Sequence, residues 1–127
     1  MPYIYLASPY SHPDAGVVVD RVRSALNATR ELLCTGVPVY SPIVHCHELA
    51  TTGGLPTDHE FWMNYNHQML ISSSALLVLK LPDWERSHGV MDECQFARRH
   101  FIPTVMAQED ILGEYVEELN DYLQLRR

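Results

Sequence analysis

The sequence predicts an α/β fold, a three-layer sandwich in which a parallel sheet of four to five strands is covered by helices on both faces. Two observations carry this. Short β-prone apolar runs alternate with stretches of helical periodicity along the whole chain, as successive strand-helix-strand units require. One of those runs, Ala75 to Leu81, is nearly all apolar, as expected of a central strand packed on both faces. The 127 residues suffice for one such sheet but not for two independent cores, so residues 1–127 read as a single domain.

Tyr3 to Leu6 is the first strand, and Ala7-Ser8-Pro9-Tyr10-Ser11-His12-Pro13 is a loop leaving the sheet. Val18, Val22, Ala25, Leu26, Leu32 and Leu33 recur at helical spacing, which predicts a helix from Asp14 to Thr35 ending at Gly36. Val37 to Tyr40 is a second strand. Ser41 to Pro56 has no clear period and reads as a long surface loop. Thr57-Asp58-His59-Glu60 matches a capping box for a helix with Phe61, Trp62, Tyr65, Met69 and Leu70 as its apolar face, ending at Ser72-Ser73-Ser74. After the central strand, Pro82 to Ser87 is a loop. Val90, Cys94 and Ala97 mark the inner face of a helix ending near His100, and Ile102 to Met106 is a fourth strand. Ile111, Leu112, Tyr115, Val116, Leu119, Tyr122 and Leu123 form the stripe of a last helix that covers the sheet or partly serves a dimer contact.

Composition narrows the function. With 46% apolar and 20% charged residues the chain is ordinary for a globular protein, and its formal charge of −7 without a basic stripe argues against duplex nucleic acid as a partner. No run approaches membrane-spanning length and the first residues lack an export signal, so no membrane partner is expected. Three scattered cysteines, Cys34, Cys46 and Cys94, suit a reducing compartment, and the expected location is cytoplasmic.

In a parallel sheet of this kind the ligand crevice lies beyond the carboxyl ends of the strands, where Ser8 to Ser11, Ser41 to Pro56 and Trp84 to Glu93 converge. Ser87-His88-Gly89 opens a helix whose free amides favour a phosphate or carboxylate, although a serine there also serves as an ordinary N-cap. Asp92 and Glu93 point about 100° apart on that helix. Glu93, beside the inner face, is therefore the candidate for the crevice, and Asp92 is expected to be solvated. Trp62 reads as a core residue, and Trp84 as a candidate for the crevice mouth.

Two blocks resemble the nucleoside 2-deoxyribosyltransferase superfamily. Tyr3-Ile4-Tyr5-Leu6-Ala7-Ser8-Pro9-Tyr10 is similar to the family's opening strand and sugar-site loop, and Ser87, Gly89, Glu93 and Ala97 are similar to the segment carrying its nucleophilic glutamate. The resemblance implies a flavodoxin-like or Rossmann-like sandwich. It also implies N-glycosidic bond cleavage or transfer on a nucleoside or (deoxy)nucleoside 5′-monophosphate, through a covalent glycosyl ester on Glu93. Tyr5 would orient Glu93, Ser87 would hold the sugar 5′ end, and Ser8, Pro9, Tyr10, Trp84, His88 and Gly89 would line the substrate site. Serine at position 87, where free-nucleoside transferases have an acid, tilts the expectation toward a 5′-phosphate. The family's further acid, on the helix before the central strand, falls at His67 or Asn66. Neither is an acid, and His67 is the candidate to serve the departing base. The resemblance implies no cofactor and no metal, and a homo-oligomer, dimer or tetramer.

Two other readings compete. His45-Cys46-His47 invites a zinc site, but the usual ligand spacings are absent. A non-catalytic nucleotide-binding or sensor module would keep the crevice without turnover, and the missing acid favours it.

Overall fold

A computed structural model describes residues 2–125. The elements run β1 (Ile4–Ala7), α1 (Ala15–Cys34), β2 (Val39–Tyr40), α2 (Pro42–Thr51), α3 (His59–Ile71), β3 (Ala75–Leu79), a 3-10 turn (Trp84–Arg86), α4 (His88–Arg99), β4 (Thr104–Ala107), a second 3-10 segment (Glu109–Tyr115) and α5 (Val116–Gln124). The four strands pair in the order β2-β1-β3-β4, all parallel. This is the flavodoxin-like or Rossmann-like three-layer sandwich the sequence predicts. Chain order reverses between β1 and β3, and a cleft opens at such a switch point because the loops on its two sides leave in opposite directions.

Period-two alternation sorts the strand residues into two cores. On one face Ile4, Leu6, Leu77, Leu79 and Val105 pack with Ala28 and Leu32 of α1 and with Leu112 and Leu119 near the C-terminus. On the other, Tyr5, Ala7, Leu76 and Val78 pack with Leu70 of α3 and with Val90 and Ala97 of α4. Every residue of β3 is buried, in keeping with its unbroken apolar run.

Several local expectations are corrected. The segment 41–56 is not a loop throughout: Ser41 caps α2 by accepting from the Val44 amide, with Pro42 in the first turn, and Cys46 and Ala50 turn inward. Ser-Pro is itself a helix-start signal, outweighed in the sequence by the lack of a longer period. Thr57 does not cap α3; Asp58 does, accepting from the Phe61 amide. The apolar face expected of α3 is buried only at its C-terminal end, where Leu70 is in the core and Met69 packs against it, whereas Phe61 and Tyr65 are exposed and the polar Asn66 is buried. The last segment is broken rather than continuous, with non-helical geometry at Ile111, and its stripe is consumed in covering the sheet.

Helix α4 ends on Phe101, which takes a left-handed φ of 57° while the Ile102 amide returns to the Ala97 carbonyl. Glycine normally occupies this place, because a Cβ there meets the neighbouring carbonyl. Phe101 is 89% exposed, so its ring contributes little packing to offset that strain. Phe101→Gly is expected to raise unfolding stability by about 1 kcal/mol, measured by urea denaturation. A loss of stability would mean that the ring packs against something in solution.

Candidate active site

A cavity of about 180 Å³ opens beyond the carboxyl ends of β1 and β3. An apolar cavity of about 150 Å³ holds benzene, so there is room for one sugar or base ring, with the remainder of a larger ligand reaching the mouth. Its walls come from the loop after β1, from α2, from the first half of α3 and from the head of α4. These segments are far apart in sequence, and the switch point brings them together.

Glu93 lies at the buried end. The inward stripe of α4 is Val90, Glu93 and Ala97, one residue off the Val90-Cys94-Ala97 stripe expected, and Cys94 is only half-buried. The carboxyl is 4% exposed, and its Oε2 accepts the hydroxyl hydrogen of Tyr5, which rises from the middle of β1 with no exposure at all. Burial pushes the Glu93 carboxyl up to about 8; the Tyr5 hydrogen bond opposes the rise and the charge of Asp92 adds to it. The helix start, which favours an ionised carboxylate, does not offset this rise. A terminal dipole contributes about 0.3–1 kcal/mol, less than the cost of desolvating a charge in a closed pocket.

The other predicted residues divide. Ser8, Tyr10, Ser87, His88 and Gly89 line the same cavity as Glu93. Ser87 is also the N-cap of α4, accepting from the Val90 amide at 3.2 Å, so its hydroxyl hydrogen remains to be donated. Pro9 is buried outside the lining, Trp84 packs against the α3/α4 core rather than at the mouth, and Tyr5 reaches the site only through Glu93.

His67 is not in the lining either. Its Nε2 donates to Asp92 Oδ2 at 2.6 Å and its ring stacks on Phe96 at 4.2 Å, so the side chain is committed away from the cavity. Asp92, expected to be solvated, instead takes a second hydrogen bond on the same oxygen from His59 Nε2 at 3.2 Å. Partial burial raises the Asp92 carboxyl, but hydrogen bonds and charge from His67 and His59 outweigh it and hold the group below its usual range. An ionised carboxylate only accepts, so both imidazoles carry hydrogen on Nε2.

Sequence reasoning passed over Arg86 and His59, took Trp62 for core, and named Asn66 only as a place where the resembled family has its acid. Asn66 presents a buried Oδ1 without a hydrogen-bond partner among the described residues, and Ser8 Oγ is in the same state. Such atoms cost free energy unless a ligand or water satisfies them, so the lining offers two buried polar atoms for a ligand to meet. Trp62, expected in the core, lines the cavity with its Nε1 donating to the Pro56 carbonyl at 2.8 Å. Arg86 stands beside Ser87 at the mouth. The lining holds one arginine, three histidines and a single acid, a local bias opposite to the −7 of the chain.

The His45-Cys46-His47 segment does not make a metal centre. Residues two apart on a helix diverge by about 200°, and His47 pairs with the Tyr10 hydroxyl at 2.7 Å while His45 faces Tyr65. Among the described residues no group of three His, Cys, Asp or Glu is arranged to hold a metal, and no helix is long and apolar enough to cross a membrane.

Fold and site together define a parallel α/β protein with a buried, tyrosine-bonded glutamate in the cavity at its switch point. A family model described as Domain of unknown function (DUF1937) matches residues 2–109, which include every segment around that cavity, and the chain belongs to this family. No curated protein matches it.

Because the raised carboxyl binds a proton that the unfolded chain releases, Glu93 makes stability fall as pH rises between 4.5 and about 8. The slope is on the order of 1 kcal/mol per pH unit inside that window and flat on either side. Glu93→Gln, which keeps an acceptor for Tyr5, removes this dependence. Its stability relative to wild type is therefore expected to improve steadily from about pH 5 to pH 8 in denaturation curves. Parallel curves would show an ionised Glu93 in the folded protein.

Proposed function

We propose that this protein cleaves or transfers the N-glycosidic bond of a nucleoside 5′-monophosphate, ribo or 2′-deoxy, with Glu93 as the nucleophile. One observation carries the reading: a buried carboxyl, joined to the Tyr5 hydroxyl, lines the cavity where an α/β sheet binds its ligands. Ionised Glu93 attacks C1′ as the base departs, giving a glycosyl ester. Water then resolves the ester in hydrolysis, or another base in transfer, with net retention. Tyr5 holds one carboxyl oxygen by donating to it, leaving the other to form the bond.

The polar mouth supports a phosphate at the 5′ end. Ser87 can donate its hydroxyl hydrogen, the first amides of α4 head a helix, and Arg86 supplies a full charge beside them. An acid at position 87 would repel the same group.

A sensor that binds nucleotide without turnover is the second reading. It is favoured by the absence of a second acid from the lining and by burial, which keeps Glu93 protonated near neutral pH in the unliganded protein. Chromatography of a panel of nucleosides and nucleoside 5′-monophosphates separates the two. We expect base release from at least one monophosphate, lowered about 1,000-fold or more in Glu93→Ala. Arg86→Gln should weaken monophosphates about tenfold or more relative to nucleosides, the loss of one hydrogen bond to a charged group. Binding without base release by wild type would leave only the sensor.

We also take the protein to be cytoplasmic, on the strength of three free cysteines, and homo-oligomeric, as a dimer or tetramer. The stripe of the last helix is spent on the core, so the contact would fall on the exposed Phe61, Met63 and Tyr65 of α3. Light scattering should give at least twice the chain mass, and charge introduced at Phe61 and Met63 should lower it; a wild-type monomer would end this part of the reading.

A further inference from the structure

The glycosidic reading leaves the departing base without a proton donor. A base leaving as an anion is a poor leaving group, so an acid within reach is worth about 100-fold or more in rate. Glu93, the acid among the described lining residues, is spent as the nucleophile, Asn66 in the same lining cannot serve as an acid, and His67 is turned away onto Asp92 and Phe96.

Three histidines line the cavity. His47 is engaged through Nδ1 with the Tyr10 hydroxyl, and His88 is exposed at the head of α4, where the 5′ end is held. His59 differs from both. It lies seven residues before Asn66 on α3, so the two share one helix face. Its Nε2 is anchored on Asp92 Oδ2, and no hydrogen bond to Nδ1 is found among the described residues. That atom lies against Gly89, where an added Cβ would stand only 3.2 Å from it. Glycine at 89 thus leaves room for the ring between the head of α4 and the cavity.

Resting on the Glu93 reading, we propose that His59 gives the proton to the departing base from Nδ1, and that Asp92 acts as a positioning residue by holding Nε2–H. In the first step a Glu93 oxygen bonds to C1′ while the C1′–N bond breaks, its electron pair going to the base. The Nδ1 proton of the His59 imidazolium passes to the base, leaving neutral imidazole. In the second step Nδ1 takes a proton from water, the water oxygen bonds to C1′, and the ester pair returns to Glu93. Both residues end as they began.

The productive form, Glu93 ionised and His59 protonated, carries the same total charge as the form with both neutral. It differs from that form only in the place of one proton. The other chargeable groups around them are Asp92 and Cys94 on α4, His67 on α3, His88 and Arg86 at the mouth, His47 and Cys46 on α2, and the Tyr5 and Tyr10 phenols.

A comparison of leaving groups tests the assignment. Wild type, His59→Gln, Asp92→Ala and Glu93→Ala are assayed on the monophosphates turned over in the panel. They are also assayed on the 4-nitrophenyl glycoside 5-phosphate of the same sugar, whose phenolate leaves without a proton. His59→Gln should lose about 100-fold or more in kcat on the nucleotide and less than about tenfold on the nitrophenyl substrate, and Asp92→Ala should follow the same pattern more weakly. Glu93→Ala should lose both activities. On the nucleotide, the wild-type kcat/KM profile should be a bell whose alkaline limb is missing in His59→Gln. On the nitrophenyl substrate it should rise toward a plateau above about pH 8. His59→Asn, which likewise has no ring proton to give, serves if His59→Gln does not fold.

Equal losses on both substrates in His59→Gln would overturn the donor role and leave the Glu93 chemistry standing. Activity surviving Glu93→Ala, or no turnover of either substrate by wild type, would remove the glycosidic reading and the donor role with it.

Discussion

The contact between the Tyr5 hydroxyl and the Glu93 carboxyl organises this molecule around its cavity. It joins the middle of β1 to the first turns of α4, two segments 88 residues apart, inside a core otherwise built from aliphatic side chains. A carboxyl in such a place is costly to ionise and is tolerated because a strong donor meets one oxygen and the cavity gives the other an outlet. The same burial lifts the carboxyl well above the usual carboxylate range, against the pull of the Tyr5 hydrogen bond.

Around that contact the cavity is divided by chemistry. Ser87 and the head of α4, with Arg86 before them, supply donors, while Trp62 of α3 and the α2 residues Pro42, Ile43 and Ala50 supply apolar lining. Ser8 and Asn66 add buried polar atoms without a partner among the described residues.

The His59-Asp92-His67 cluster is the second organising feature. Two imidazoles from one helix share a single carboxylate oxygen from the next, tying α3 to α4 beside the cavity. Their roles are unequal. His67 lies under Phe96 and braces the pair, whereas His59 lies on the cavity wall. Seven residues bring a helix back to the same face, so His59 and Asn66 meet the cavity from one side of α3.

The sequence by itself determined the fold class and the core. Period-two and period-3.6 patterns report which side of each element is apolar, and the unbroken run at Ala75 to Leu79 could only be buried on both faces. It also turned Glu93 toward the crevice through its place beside the inner face of its helix, and the resemblance of two blocks joined Tyr5 to it in one site. Only the tertiary structure decided the rest of the wall. Patterns describe a residue's own element and say nothing of what lies across a cavity, so Trp62 read as core, Asp92 as solvated and His67 as the inward histidine. In the fold the first half of α3 runs beyond the sheet edge, where its apolar side chains meet the cavity or solvent instead of strands. The protonation of Glu93 was illegible for the same reason: a helix dipole is a local quantity, whereas the desolvation that overrides it is produced by segments brought together only when the chain closes.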